Sequence, residues 1–257
     1  MSKKLIRNIL VLSLAAVILV TATVFTTIAY LISTAKVSNV FTVGEVAIEM
    51  YESVLTPDGK APLNPGTKKT ADSNSYSILP GETYCKDPTV YIKGGSKDTI
   101  LFVKARNQIS NIEIPADNTQ GLKTMRQQME ENGWRRVAKT AIGDYIYVYA
   151  GEDVINDGND NTFGSVIPTS NDTTSTDLFQ TFTIDPNCNT DAYKLAQGAA
   201  VTITAYAIQG SSFCEGNVVT KQNIVEAWNA IVGKVDYEVG NEIDLDDIEE
   251  VNRVVNP

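Results

Sequence analysis

The longest apolar run opens the chain. No charge appears between Asn8 and Ala35, and Ile9–Ile32 is mostly Leu, Val, Ile and Ala, behind Lys3, Lys4 and Arg7. Such a run predicts a membrane-engaging helix with its basic end inside. Roughly 20 apolar residues span a bilayer and a secretory core needs about 7–15, so length alone fits an uncleaved anchor as well as a signal peptide. Thr27-Ile28-Ala29 carries the small-x-small pattern that a signal peptidase reads, and cleavage after Ala29 is the expected outcome. Ser33-Thr34-Ala35 is a second such pattern. On either reading the rest of the chain lies outside the cytoplasm.

Beyond this helix the pattern turns to period two, the mark of strands. Leu31, Ala35, Val37, Phe41 and Val43 alternate with Thr34, Lys36, Ser38 and Thr42. After Gly44 the parity switches to Val46, Ile48 and Met50, which predicts a bulge or bend at Gly44-Glu45. Thr56–Ser77, rich in Pro, Gly, Lys, Ser and Asn, reads as a mobile surface loop. Thr89–Lys93 and Thr99–Arg106 read as strands with a hairpin-like connection through Gly94-Gly95-Ser96-Lys97. Ile100–Val103 is apolar on both parities, so that strand is expected to be central and covered on both faces. Trp134–Lys139 and Tyr145–Ala150 form a second hairpin, and Leu178–Ile184 and Ala199–Ile208 are further strands. Two segments change period. Leu122, Met125 and Met129 predict a helix within Thr119–Asn132 with Gly133 as its cap, and Ile224, Trp228, Ile231 and Val232 predict another over Lys221–Val232.

Short strands with turn signals between them and one or two inserted helices describe an all-β chain, a jelly-roll-like β-sandwich behind the N-terminal helix. The expected layout is residues 1–29 as signal peptide or uncleaved anchor, 30–44 as an extended segment, 45–235 as the sandwich, and 236–257 as an acidic tail. Ile243, Leu245, Ile248 and Val251 would support one short amphipathic helix in that tail.

Charge and composition then narrow the function. The 257 residues hold 31 acidic and 21 basic side chains, net −10, and no histidine. An acidic chain repels the phosphate backbone, so nucleic acid is excluded as a partner. Without histidine there is no Ser-His-Asp, Cys-His or HExxH chemistry. No carboxylate pair stands out from the acidic background and no phosphate loop is present, so no catalytic residue, cofactor site or metal site is expected. Glu152–Asn161 resembles a calcium loop by composition, but Ile155 occupies a ligand position and Gly164 stands where the closing Glu belongs. Tyr145, Tyr147 and Tyr149 share one sheet face, where they pack across strands or present a stacking platform. Trp134 and Trp228 are expected as core anchors. Cys188 and Cys214 flank the Ala199–Ile208 strand as a candidate disulfide outside the cell, and Cys85 is left over.

Three blocks are similar to a known family. Ile28-Ala29-Tyr30-Leu31 with Lys36–Ile48, then Leu79-Pro80-Gly81-Glu82-Thr83 leading into Lys86–Val90 and Gly95-Ser96, then Ala205-Tyr206-Ala207-Ile208-Gln209, resemble the TasA/camelysin-like secreted proteins of Gram-positive bacteria. The resemblance implies a jelly-roll subunit, released by a dedicated SipW-type signal peptidase, that polymerises with itself into biofilm-matrix fibres. Its freed N-terminal strand (Tyr30, Leu31, Ala35, Val37, Phe41 and Val43) would be donated to the next copy, with Thr27 and Ala29 forming the cleavage site. The membrane would be touched only through the N-terminal helix. The camelysin branch also suggests a metallopeptidase, which a chain without histidine supports poorly. A membrane-anchored surface protein binding glycan or protein is the other alternative.

Overall fold

The computed structural model of the chain describes residues 31–33, 46–67, 71, 73–151, 162–196, 198–235, 242–243, 245 and 248. The chain is all-β with short helices. Its strands are β1 (Leu31–Ser33), β2 (Ile48–Tyr51), β3 (Asn74–Tyr76), β4 (Thr83–Cys85), β5 (Thr89–Ile92), β6 (Thr99–Asn107), β7 (Trp134–Lys139), β8 (Tyr145–Tyr149), β9 (Gly164–Ser165), β10 (Thr174–Asp177), β11 (Thr181–Thr183), β12 (Val201–Gln209) and β13 (Val218–Val219). Helices α1 (Met125–Glu131), α2 (Thr190–Leu195) and α3 (Lys221–Val235), with a 3-10 turn at Gly210–Ser212, complete the described elements.

A four-stranded antiparallel sheet, in the order β12-β6-β8-β7, carries an apolar core on each face. In β6, Leu101, Val103 and Ala105 enter the first core while Ile100 and Phe102 enter the second. Strand β12 divides the same way, with Val201, Ile203, Ala205 and Ala207 on one side and Tyr206 and Ile208 on the other. Two covered faces explain why β6 is apolar on both parities, as the sequence indicated. The second core is closed by α3, whose Ile224, Trp228, Ile231 and Val232 are all at most 2% exposed. Trp228 meets Phe102 and Tyr206 edge-on, with ring centroids 5.7 and 5.3 Å away.

The first core is closed by a second layer. Strands β10-β5-β2 form one sheet and β11-β4 another, but the two share a single register. Between them Lys86 N donates to Gln180 O at 2.9 Å and Leu178 N to Pro88 O at 3.0 Å. Thr83–Ile92 and Thr174–Thr183 are therefore one long antiparallel ladder, interrupted at Pro88 because proline has no N–H to return to Leu178. The strand expected over Leu178–Ile184 is divided from Asp177 by that interruption.

Several expectations are corrected. Gly94–Lys97 joins no hairpin: β5 and β6 lie in different sheets and face each other across the first core. Gly94 makes the crossing possible, since a Cβ there would sit 2.2 Å from Asn171 O. The described part of Thr56–Ser77 is pinned by the Leu55↔Pro62 and Glu52↔Ala71 bridges and by Tyr76, 1% exposed, whose hydroxyl donates to Cys85 O at 2.8 Å. The first helix is shorter than its period suggested. It starts at Met125 behind a Thr124/Gln127 capping box, because Asn118 Oδ1 holds Gln120 N and Leu122 N in a turn. Gly133 follows at φ 83°, as a helix-terminating glycine should. The tail is no amphipathic helix at its described positions. Ile248 pairs as a β-bridge with Ala138, and Ile243 and Ile248 join the second core at 3% and 4% exposure.

Candidate assembly edge

Sheet edges are where this all-β molecule can offer backbone groups to another chain. Two edges are met by the protein's own groups, one along several residues and one at a single position. Along Asp177–Thr183, Trp134 Nε1 donates to Asp177 O at 2.9 Å and Asn132 Nδ2 donates to Leu178 O at 3.0 Å. The second of these replaces the proton that Pro88 lacks. Gln128 Oε1 accepts from Gln180 N and Thr181 N, Gln128 Nε2 donates to Thr181 O at 2.8 Å, and Ile114 N donates to Thr183 O. Gln128 thus stands in for one residue of a neighbouring strand. On the other sheet, the Ala138↔Ile248 bridge covers β7 at Ala138.

Strands β2 and β12 are each an end strand of their sheet. They approach within 8 Å of each other. Gln108 N donates to Ala200 O, so even-numbered residues of β12 bond to β6 and odd-numbered ones turn away. Ile203, Ala205 and Ala207 therefore direct N–H and C=O outward, and these groups have no partner among the described residues. All three residues are at most 2% exposed. By the same parity, set by Lys93 N donating to Ala47 O, Ile48 and Met50 of β2 face outward beyond the Glu52↔Ala71 bridge.

Of the expected donor-strand residues, Leu31 is described: β1 pairs antiparallel with β3, Leu31 opposite Tyr76 and Ser33 opposite Asn74. Tyr30, Ala35, Val37, Phe41 and Val43 lie outside the described residues, as do Thr27 and Ala29 of the cleavage site and the acidic loop Glu152–Asn161. Among the described residues, no helix is long and apolar enough to cross a membrane and no cluster of three metal-ligating side chains occurs. The candidate disulfide is corrected. All three cysteines are free thiols, with Cys188 against the first core and Cys214 against the second, so the central sheet separates them. Burial pushes both thiols above the usual cysteine range. The tyrosine face points inward. Tyr147 is 5% exposed, and Tyr145 and Tyr149 pack beside it on the first core. Trp134 and Trp228 are core residues, each 0% exposed.

A buried polar cluster beneath β3 was absent from the sequence reading. Lys86 Nζ donates to Glu52 Oε1 at 3.0 Å and Oε2 at 3.2 Å, with the two side chains 0% and 1% exposed. Asn74 Nδ2 donates to the same Glu52 Oε2 at 3.1 Å and to Ser53 O at 3.0 Å. Asp87, 7% exposed, accepts from Ser53 N and Ser53 Oγ at 2.8 and 2.6 Å. Tyr76, Tyr84 and Phe182 pack as a ring cluster next to this site. Burial, then the Glu52 charge, holds the Tyr76 hydroxyl far above the usual phenol range. The sequence signal existed: Glu52 continues the inward parity of Val46, Ile48 and Met50, and Lys86 shares that of Tyr84, Val90 and Ile92.

Comparison with protein-family models, with characterised proteins and with solved structures finds no match to this chain.

Proposed function

We propose that this chain is an exported structural subunit that polymerises with itself into an extracellular matrix fibre. Each copy adds its N-terminal strand, Tyr30–Val43, to the β2/β12 edge of the next. The observation that carries the reading is the row of outward N–H and C=O groups at Ile203, Ala205 and Ala207. They are buried yet unpartnered among the described residues, whereas side chains occupy the Asp177–Thr181 edge. Buried backbone groups need partners, and an added strand supplies them in a row. The alternation of Leu31, Ala35, Val37, Phe41 and Val43 suits such a strand, with one apolar face for the core below. That its first residues pair as a strand on β3 supports its readiness to do so.

Donation from one copy to the next is head-to-tail and does not close, so it yields filaments and not rings. Two antiparallel sheets around a shared core are the frame of a jelly roll, and that strand order belongs to the same proposal. So does removal of the N-terminal helix after Ala29 by a dedicated signal peptidase, which frees the strand from the membrane. Deleting Tyr30–Val40 from the purified mature protein should leave a folded subunit that stays unassembled under negative-stain microscopy. Filaments from that deletion would overturn strand donation. A secreted protein whose N-terminal sequence still begins at Met1 would overturn the release step.

A further inference from the structure

We propose that Lys86 and Asn74 are joined by an isopeptide bond, with Glu52 carrying the protons for its formation. Three observations meet at one place. Lys86 is a fully buried amine, Glu52 is a fully buried carboxylate, and the Lys86 and Asn74 side-chain nitrogens both bond Glu52 Oε2, at 3.2 and 3.1 Å. The three residues come from different strands or strand ends: Glu52 follows β2, Asn74 is in β3, and Lys86 follows β4. An aminolysis site needs amine, carboxamide and carboxylate in one place, and these three are gathered on a single carboxylate oxygen.

The step balances within the triad. Glu52 takes a proton from the Lys86 ammonium, leaving a neutral amine, the nucleophilic form of a desolvated lysine. Its lone pair attacks Asn74 Cγ and the new C–N bond forms. A second proton passes from that nitrogen through Glu52 to Asn74 Nδ2, the Cγ–Nδ2 bond breaks, and ammonia leaves. The products are a secondary amide, ammonia and a protonated Glu52, so net charge is unchanged and no oxidant or co-reactant is consumed. Two features favour the reaction. The groups are held together before it starts, which replaces a bimolecular encounter by an intramolecular one. It also converts a buried ion pair beside Tyr76, Tyr84 and Phe182 into neutral groups, removing the desolvation cost of two charges. The bond ties β3, the strand on which β1 lies, to the long ladder of the second layer.

The test is peptide mapping of the folded full chain by mass spectrometry under reducing conditions. The expected result is one branched species joining the peptides that hold Asn74 and Lys86, lighter than their sum by one ammonia, about 17 Da, with no tryptic cut after Lys86. Asn74→Ala, at a half-buried position, should fold and give two separate peptides of unmodified mass. Glu52→Gln should abolish or greatly slow linkage. Because that variant leaves the Lys86 charge unpaired, the Asn74→Ala comparison carries the test should Glu52→Gln fail to fold. Separate, unmodified Asn74 and Lys86 peptides from the native protein would overturn the proposal. So would a loss of ammonia confined to the Asn74 peptide, the mark of a succinimide. Full linkage in Glu52→Gln would overturn the role given to Glu52.

Discussion

Buried charges decide where single side chains matter in this protein. Arg106 holds Asp144 with two bonds, Nε to Oδ1 at 2.6 Å and Nη2 to Oδ2 at 2.8 Å, and the Asp144 side chain is only 3% exposed. Arg106→Ala would leave that carboxylate buried without its cation. With the arginine 44% exposed and partly water-screened, a loss of about 1–3 kcal/mol in denaturant unfolding is expected. An unchanged midpoint would refute it. Glu113 behaves differently. It accepts from Met125 N at the start of α1 and from Asn107 Nδ2, yet burial outweighs both bonds and raises its carboxyl above the usual range. A carboxyl raised on folding contributes stability below its unfolded pKa and loses it as pH climbs through the folded value. The thermal midpoint of the native chain should therefore fall relative to Glu113→Gln as pH rises above the ordinary glutamate value, about 4.3. A native chain that gains on the variant over that range would contradict the assignment. None of these partners is near in sequence, except Asn107 to Glu113. The inward parities of Glu52 and Lys86 were legible, but which charge each would meet depends on how strands β2 to β5 are laid together.

Elements were read well where their signal was local and poorly where it depended on partners. The β7–β8 hairpin, α3 and the two-faced burial of β6 follow from periodicity that a few neighbouring residues carry. The supposed β5–β6 hairpin failed because two strands with a Gly-Gly turn look alike whether they pair or face each other across a core. The edge seals were invisible for the same reason. Gln128 is an ordinary exposed-looking position of a short helix until the Asp177–Thr183 edge is set against it. Gln128→Ala should cost about 1–2 kcal/mol in denaturant unfolding, since it strips partners from Thr181 N–H and C=O. Full retention of stability would mean that water replaces the amide there. Eight carboxylates from Asp236 to Glu250 mark the tail as acidic and mask its apolar positions. Ile243 and Ile248 instead give it two anchors in the second core. Ile248→Ala should lower stability by about 2–4 kcal/mol, close to the cost of any buried Ile truncation, and a loss below about 0.5 kcal/mol would show the anchor to be loose.

At the scale of the molecule, the acidic excess and the β2/β12 edge act against each other. Removal of residues 1–29 takes away Lys3, Lys4 and Arg7, leaving 18 basic against 31 acidic side chains, net −13. In the proposed fibre, copies so charged would repel at every step of head-to-tail growth, and strand pairing would have to exceed that repulsion. The two terms differ in range. Repulsion between surface carboxylates is screened over a Debye length that shrinks from about 30 Å at 0.01 M salt to about 8 Å at 0.15 M. The backbone hydrogen bonds and apolar burial proposed along Ile203, Ala205 and Ala207 would be made at contact and be nearly indifferent to that change. Added salt should therefore speed filament growth and raise its final yield in the mature protein. Lowering pH into the carboxylate range should do the same at fixed salt. The Tyr30–Val40 deletion should respond to neither, because screening removes an obstacle and supplies no strand. Filament mass measured by sedimentation across a salt series decides the matter. Yield that is flat or falls with salt would mean that growth runs through complementary charges and not through strand addition.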